Sequence, residues 1–120
     1  MPVNAYLGYG VNIFHPELVN IYGCTIGDNT TVGPFVEIQA GVTIGKNCKI
    51  SSHSFICGGV TIGDGCFIGH GVIFINDKNP QATNKDGKLA GKEDWTEEQT
   101  IICDNVSIGS RGHHYVSGLL

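Results

Sequence analysis

The chain has 120 residues, which suits one domain. Its net charge of −4 argues against nucleic acid as a partner. No apolar run approaches the roughly 18 residues of a membrane span. The opening MPVNAYLGYG lacks a charged start and an apolar core, so neither membrane insertion nor a secretory signal is expected.

The 18 glycines exceed the usual share of about 7%, with no collagen triplet and only 4 prolines, so many tight turns are expected. Cys24, Cys48, Cys57, Cys66 and Cys103 form no CxxC pair. They read as buried free thiols of a reducing, cytoplasmic compartment, and no metal site is expected.

In chain order, residues 1–19 carry only a weak pattern. Phe14 and Leu18 fit the spacing that follows, while Gly8 and Asn20 do not. An irregular coil capping one end is expected there. Residues 20–77 are different. From Ile26 a bulky apolar residue returns every sixth position, at Val32, Ile38, Ile44, Ile50, Ile56, Ile62, Ile68 and Phe74. Four residues after each of the first eight comes a small or β-branched one: Thr30, Val36, Val42, Cys48, Ser54, Val60, Cys66 and Val72. Gly27, Gly33, Gly45, Gly63 and Gly69 directly follow the bulky residue, and glycine adopts backbone angles that other residues adopt poorly.

Six is neither the helical nor the strand period. One short strand plus one turn fits it, and three such units close a triangular coil of 18 residues. Ile26 then stacks on Ile44 and Ile62, Val32 on Ile50 and Ile68, and Ile38 on Ile56 and Phe74. Successive coils bond as parallel strands about 4.8 Å apart. The fold class is all-β, a parallel β-helix. Cys24, Cys48 and Cys66 fall at corners as small fillers. A disulfide between coils is conceivable in geometry but disfavoured in the cytosol.

Residues 78–99 break the period. They are polar, rich in charge and contain the only tryptophan, Trp95. Insertions in a solenoid leave from a corner and commonly build the binding face. One reading is a solvated surface loop. The other is a loop that closes over a ligand or a neighbouring subunit, favoured by a tryptophan that needs something to pack on. The period resumes over 100–110 with Ile102 and Ile108. At 111–120 it fails, because His114 stands where an inward aliphatic is due, and a buried histidine there is expensive. Two explanations are open. A reading frame shifted by one base would turn Arg-Gly-His-His into Gly-Ala-Thr-Ile, with isoleucine at position 114. Alternatively the tail is a natural short cap.

Hexapeptide repeats of this form resemble the left-handed β-helix family. The stretch ISSHSFICGGVTIGDGCFIGHGVIFINDKNPQATNKDGKL (50–89), with the later DW and VSIG, resembles the nucleotide-sugar N-acetyltransferase branch of the hexapeptide acyltransferases. That resemblance implies a left-handed coil, a homotrimer, acetyl-CoA as co-substrate, and a UDP- or dTDP-linked amino sugar as acceptor, for surface polysaccharide. It covers about residues 18–110. The branch usually carries Tyr and Arg beside the loop proline, where this chain has Asn79 and Gln81, so recognition of a carboxylate or phosphate on the sugar differs.

Acyl transfer to an amine needs a neutral nitrogen, a positioned thioester and donors for the developing oxyanion. By resemblance, Asn76 of FIND meets the sugar's amino group and orients it; the plain reading is an asparagine stabilising a turn. Asp77 reads as a loop anchor or a substrate contact. Histidine accepts protons near neutral pH, so His70 is the candidate base and His53 a candidate substrate contact. They lie one coil apart on one side of the solenoid. Ordinary surface or subunit packing is the alternative for each. His15, His113 and His114 lie outside this group. Trp95 completes the substrate set, and no residue is assigned to the coenzyme. Two other classes remain: a truncated, non-catalytic trimer lacking part of the coenzyme site, and a γ-type carbonic anhydrase. The latter needs three histidines on one zinc, against only His53 and His70 in regular coils.

Overall fold

Strands of two or three residues alternate with turns along the chain and fall into three parallel sheets. The computed structural model describes residues 1–111 and, beyond them, the backbone of 113–115 and 118–119. Strands are numbered in chain order. One sheet holds β1 (Tyr6–Leu7), β4 (Thr25–Ile26), β7 (Thr43–Ile44), β10 (Val60–Ile62), β13 (Thr100–Ile102) and β16 (Gly118–Leu119). The second holds β2 (Asn12–Ile13), β5 (Thr31–Val32), β8 (Lys49–Ile50), β11 (Phe67–Ile68) and β14 (Ser107–Ile108). The third holds β3 (Asn20–Ile21), β6 (Glu37–Ile38), β9 (Phe55–Ile56), β12 (Ile73–Ile75) and β15 (His113–Tyr115). This is an all-β parallel solenoid, consistent with a left-handed β-helix. Among the described residues the only helical pieces are single 3₁₀ turns at Pro16–Leu18 and Lys92–Asp94, and no helix is long and apolar enough to cross a membrane.

The inner ladder explains the period. Ile26 pairs with Ile44 and Ile44 with Ile62, Val32 with Ile50 and Ile50 with Ile68, and Ile38 with Ile56. All nine bulky positions from Ile26 to Phe74 are at most 2% exposed. Each such burial contributes about 1.5–3 kcal/mol. The eight small residues four positions later are buried equally well.

Glycine after the aliphatic has a different cause from the one its flexibility suggests. Gly27, Gly45 and Gly63 do not adopt left-handed backbone angles. A Cβ on Gly27 would lie 2.6 Å from the Gly45 carbonyl carbon, and one on Gly45 would lie 2.7 Å from that of Gly63. The backbones approach there because each of these N–H groups donates to the next coil: Gly27 to Ile44 O, Gly45 to Ile62 O and Gly63 to Ile102 O, all at 2.8 Å. The left-handed residues sit two places further on, at the turns. Asn29, Asn47 and Asn105 occupy one such column, at φ 62°, 58° and 60°. Asparagine tolerates this region better than most side chains.

The first coil is in register, but one residue off the later phase. Leu7 pairs with Ile26, Ile13 with Val32 and Ile21 with Ile38. Ile21 is fully buried, whereas Phe14 and Leu18 are 56% and 41% exposed. The Pro16–Leu18 turn lengthens one side, and the step from Ile21 to Ile26 is a residue short. At the other end, the backbone at 114 pairs with Phe74. The side chain of His114, on which the expectation of a misplaced inward residue rests, lies outside the described residues.

Corner side chains link the coils. Thr30 Oγ1 donates to Gly45 O at 2.8 Å and accepts the Cys48 N–H at 3.1 Å. Ser54 Oγ donates to Gly69 O at 2.9 Å. Cys48 Sγ donates to Gly63 O at 3.1 Å, and Cys66 Sγ to Cys103 O at 3.0 Å. The corner cysteines are therefore weak donors as well as fillers, and all five thiols are free.

Replacing Thr30 by Val keeps the shape but strips both partners, so Thr30→Val lowers unfolding free energy by about 1–3 kcal/mol. Ile56→Ala lowers it by about 2–5 kcal/mol. Thr43→Ala, on the outer wall, changes it by no more than about 0.5 kcal/mol. Urea unfolding of the three variants checks the order.

Candidate functional site

The period stacks residues two places after each inward aliphatic into columns on the outer wall. One column contains Ser52, His70 and Ser110. Ser52 Oγ lies 3.0 Å from His70 Nδ1, and the His70 backbone N–H donates to Ser110 Oγ at 3.2 Å. The neighbouring column, one place later, contains Phe35, His53, Gly71 and Arg111, all left-handed at φ 59°, 65°, 65° and 64°. The Phe35 and His53 rings pack with centroids 5.1 Å apart. Gly71 has no side chain between His53 and Arg111, and this leaves a cavity of about 370 Å³. Its lining is His53, His70, Gly71, Ser110 and Arg111. Among the described residues no carboxylate lines it, so it favours an anionic or electron-rich group.

The inserted segment leaves after β12 and rejoins at β13. Asn76 stands at the exit. Its Nδ2 donates to Gly58 O at 2.8 Å, one coil back, and its backbone carbonyl accepts the Glu98 N–H at 2.8 Å. The side-chain Oδ1 has no partner among the described residues. Asp77 Oδ1 accepts the Asn79 N–H at 3.0 Å, which turns the chain outward. Within the loop, Asn84 Oδ1 caps a turn by accepting the N–H groups of Asp86 and Lys88 at 2.9 and 3.1 Å. Asp94 Oδ2 accepts the Gly91 N–H at 2.7 Å. These bonds frame a second cavity, of about 560 Å³, whose lining includes Asp77, Asn79, Lys85, Glu93, Asp94 and Trp95. Three carboxylates face one ammonium, beside a tryptophan that is 40% exposed. That combination suits a polar, neutral or cationic ligand with a flat apolar face.

The structure thus gathers the sequence candidates into two groups. His53 and His70 share one cavity, and Asp77 and Trp95 share the other. Asn76 lines neither and holds the loop exit to the preceding coil. Sequence reasoning missed Ser52, Gly71, Ser110 and Arg111. The 18-residue offset from Ser52 to His70 was the available signal. It failed to find Ser110 and Arg111 because the loop intervenes. Among the described residues no group of three or more His, Cys, Asp or Glu is placed to hold a metal ion.

The returning loop packs on the corner at Gly58 and Gly59. A Cβ on Gly58 would lie 2.7 Å from Glu97 Oε2, and one on Gly59 2.8 Å from Glu98 O. Lys78 pairs with Glu98 at 3.5 Å across the loop's base. Beneath lies Cys57. Its burial, reinforced by the Glu97 carboxylate, pushes its thiol from 9.0 up to about 11. Burial also raises Cys24 and Cys48.

Residues 23–58 match the family described as bacterial transferase hexapeptide (six repeats). No curated protein matches the chain. The repeat match and the solenoid together support the hexapeptide-repeat superfamily, and the repeat points to an acyltransferase-like β-helix protein.

The thiols give a direct check on the loop's seat. In the native protein a thiol reagent at neutral pH modifies exposed Cys103 and spares Cys57 until the chain unfolds. The folded state holds the Cys57 proton more tightly than the unfolded state. Its contribution is therefore complete below pH 9.0 and is lost as pH rises towards about 11. Unfolding midpoints measured for the wild type and Cys57→Ala across that range converge in their pH dependence only if another group is responsible.

Proposed function

We propose that the protein is an acetyl-CoA-dependent N-acetyltransferase acting on the amino group of a nucleotide-linked amino sugar, in the cytoplasm, for surface polysaccharide synthesis. The observation that carries this reading is His70. It is an imidazole fixed through Nδ1 on the outer wall of a transferase-type solenoid, with its ring lining an open cavity. The neutral amine nitrogen attacks the thioester carbonyl, the N–C bond forms, and the C–S bond breaks. The proton on that nitrogen passes to His70, and the resulting imidazolium returns it to the departing coenzyme thiolate. Asn76 Oδ1, with Nδ2 already engaged at Gly58, accepts an N–H of the amine and aims its lone pair. The Asp77–Trp95 cavity takes the sugar, with Trp95 against a ring face and the carboxylates on hydroxyl and ammonium groups. His53 and Arg111 lie where an electron-rich group of either substrate binds.

His70 and Asn76 occupy equivalent places in consecutive hexapeptides, on consecutive corners. Six residues span at most roughly 20 Å, and one side of the coil lies between the two side chains. Both side chains act on one acetyl group when the His70 face of one copy meets the loop of the next. This supports a homotrimer whose clefts hold the reaction. Exposed Phe67, Ile73 and Ile101, at 39%, 38% and 49%, are apolar surface that such packing covers.

A thermal-shift screen with acetyl-CoA, UDP-amino sugars and dTDP-amino sugars tests the reading. A cognate ligand at 100 times its Kd stabilises the fold by about 2.7 kcal/mol. Absence of any shift with acetyl-CoA at millimolar concentration overturns it. On the sugar that scores, Asn76→Ala loses turnover by more than about 100-fold, while the lost bond to Gly58 lowers Tm by only about 4 °C. Trp95 is the single tryptophan, so its emission reports the sugar directly. Trp95→Ala raises KM about tenfold and leaves kcat nearly unchanged.

A further inference from the structure

We propose that Ser52 is a positioning residue that fixes the tautomer of His70. The inference rests on the reading of His70 as the base. Ser52 and His70 are stacked in one column, a coil apart, and Ser52 Oγ lies 3.0 Å from His70 Nδ1. A hydroxyl can donate or accept, and the two cases have opposite chemical consequences. If the hydroxyl donates to Nδ1, the neutral ring carries its proton on Nε2 and has no free lone pair for the substrate. If Nδ1–H donates to the hydroxyl oxygen, Nε2 keeps its lone pair and serves as the base. Ser52 acts in the second way.

Backbone contacts hold the two side chains in place, and the choice of donor follows from the reading of His70 as the base. Ser52 is half-buried in the wall, held through its backbone carbonyl, which accepts the Gly71 N–H at 2.9 Å. The His70 backbone is fixed on the other side, since its N–H donates to Ser110 Oγ at 3.2 Å and its carbonyl accepts the Arg111 N–H at 2.6 Å. The His70 backbone is therefore anchored on both sides and its ring is held at Nδ1, so Nε2 is the nitrogen left for a ligand in the cavity that His70 lines. A hydroxyl serves here as an aspartate serves elsewhere, but without adding negative charge to a cavity that has none.

The test pairs a spectroscopic readout with a kinetic one. Nitrogen NMR of the imidazoles, with His70 assigned by its loss in His70→Gln, reads which ring nitrogen carries the proton in the neutral form. In the wild type Nδ1 is protonated and Nε2 bare. Ser52→Ala releases the ring towards the Nε2–H form that free histidine prefers, and Ser52→Thr restores the original pattern. On acetyl-CoA and the sugar identified by thermal shift, Ser52→Ala lowers kcat about tenfold or more, with KM unchanged, and Ser52→Thr recovers it. That loss is part of the roughly 10²–10⁴-fold that a positioned base supplies. A wild-type ring protonated on Nε2, or a Ser52→Ala spectrum identical to wild type, overturns the proposal even where no sugar is turned over. So does mass-spectrometric capture of an acetyl group on Ser52, which would make it a nucleophile. If His70→Gln retains turnover, the base reading fails. If His70→Gln is dead while Ser52→Ala is normal in both readouts, this inference alone fails.

Discussion

Successive coils of this chain touch backbone to backbone, and most other features follow from that closeness. The N–H after each inward aliphatic donates to the carbonyl of the next coil's inward aliphatic at 2.8 Å where Gly27, Gly45 and Gly63 make the contact. A side chain there would strike the neighbouring backbone, so glycine recurs. The interior has room for one ladder per face and nothing more. A bulky residue must enter at every sixth position, and the corner beside it accepts only Thr, Ser, Cys or Val. Hydroxyls and thiols at those corners then find a carbonyl one coil away, which makes their burial tolerable. The same closeness carries the registration outward. Any two residues 18 apart in the regular coils are neighbours on the surface, so chemistry on the outer wall is written in columns.

A site in such a wall arises by varying single places in a column. Phe35, His53 and Arg111 share one left-handed turn position, and Gly71 interrupts them. The missing side chain creates the cavity, and the column beside it supplies His70 with a hydroxyl on either side. These non-glycine residues hold left-handed angles at some cost, of order 1–2 kcal/mol each. The coil's close packing holds them there. A pocket built this way is rigid, because each of its members is tied to a backbone that the inner ladder fixes. The loop cavity is different in kind. It rests on Asx turns at Asp77 and Asn84 and on an exit bond from Asn76, with its return leg seated on Gly58 and Gly59.

The regular coils were legible because a single constraint repeats without interruption from Ile26 to Phe74. The first coil was harder to read. The residues in register with the inner ladder, Leu7, Ile13 and Ile21, are out of phase by one, since a 3₁₀ turn lengthens one side and the approach to Ile26 is a residue short; only Ile21 is fully buried, and Leu7 stays 44% exposed. A strict six-residue count therefore selected Phe14, and the corner place four residues on selected Leu18; the structure leaves both exposed. Glycine was found at the right places for the wrong reason, because a sequence shows the residue but not the neighbour that excludes its Cβ. Of the candidate site, the pairing of His53 with His70 followed from the coil length. The hydroxyl on His70 followed from the same arithmetic but carries no signature of its own, since serine is ordinary at a turn. The grouping of Asp77 with Trp95 depends on how a non-repeating loop folds back, and no period encodes it.

The charged residues lining the two cavities are opposite in sign, and under the proposed reading this orients the substrate. The loop cavity, with Asp77, Glu93 and Asp94 against Lys85, attracts an ammonium group and disfavours a phosphate. The wall cavity, with His53, His70 and Arg111 and no carboxylate, does the reverse. A substrate carrying an amine at one end and a diphosphate at the other is therefore oriented before any close contact forms. The amine must still lose a proton to become a nucleophile, and the carboxylates that attract it also stabilise its charged form. Under the proposed reading it reacts as the neutral amine, beside His70 and away from those carboxylates. On a single chain the two places are separated by one side of the coil. Under the proposed reading, a second copy that sets its His70 face against the loop brings them together, and assembly is then part of the chemistry and not merely a means of covering apolar surface.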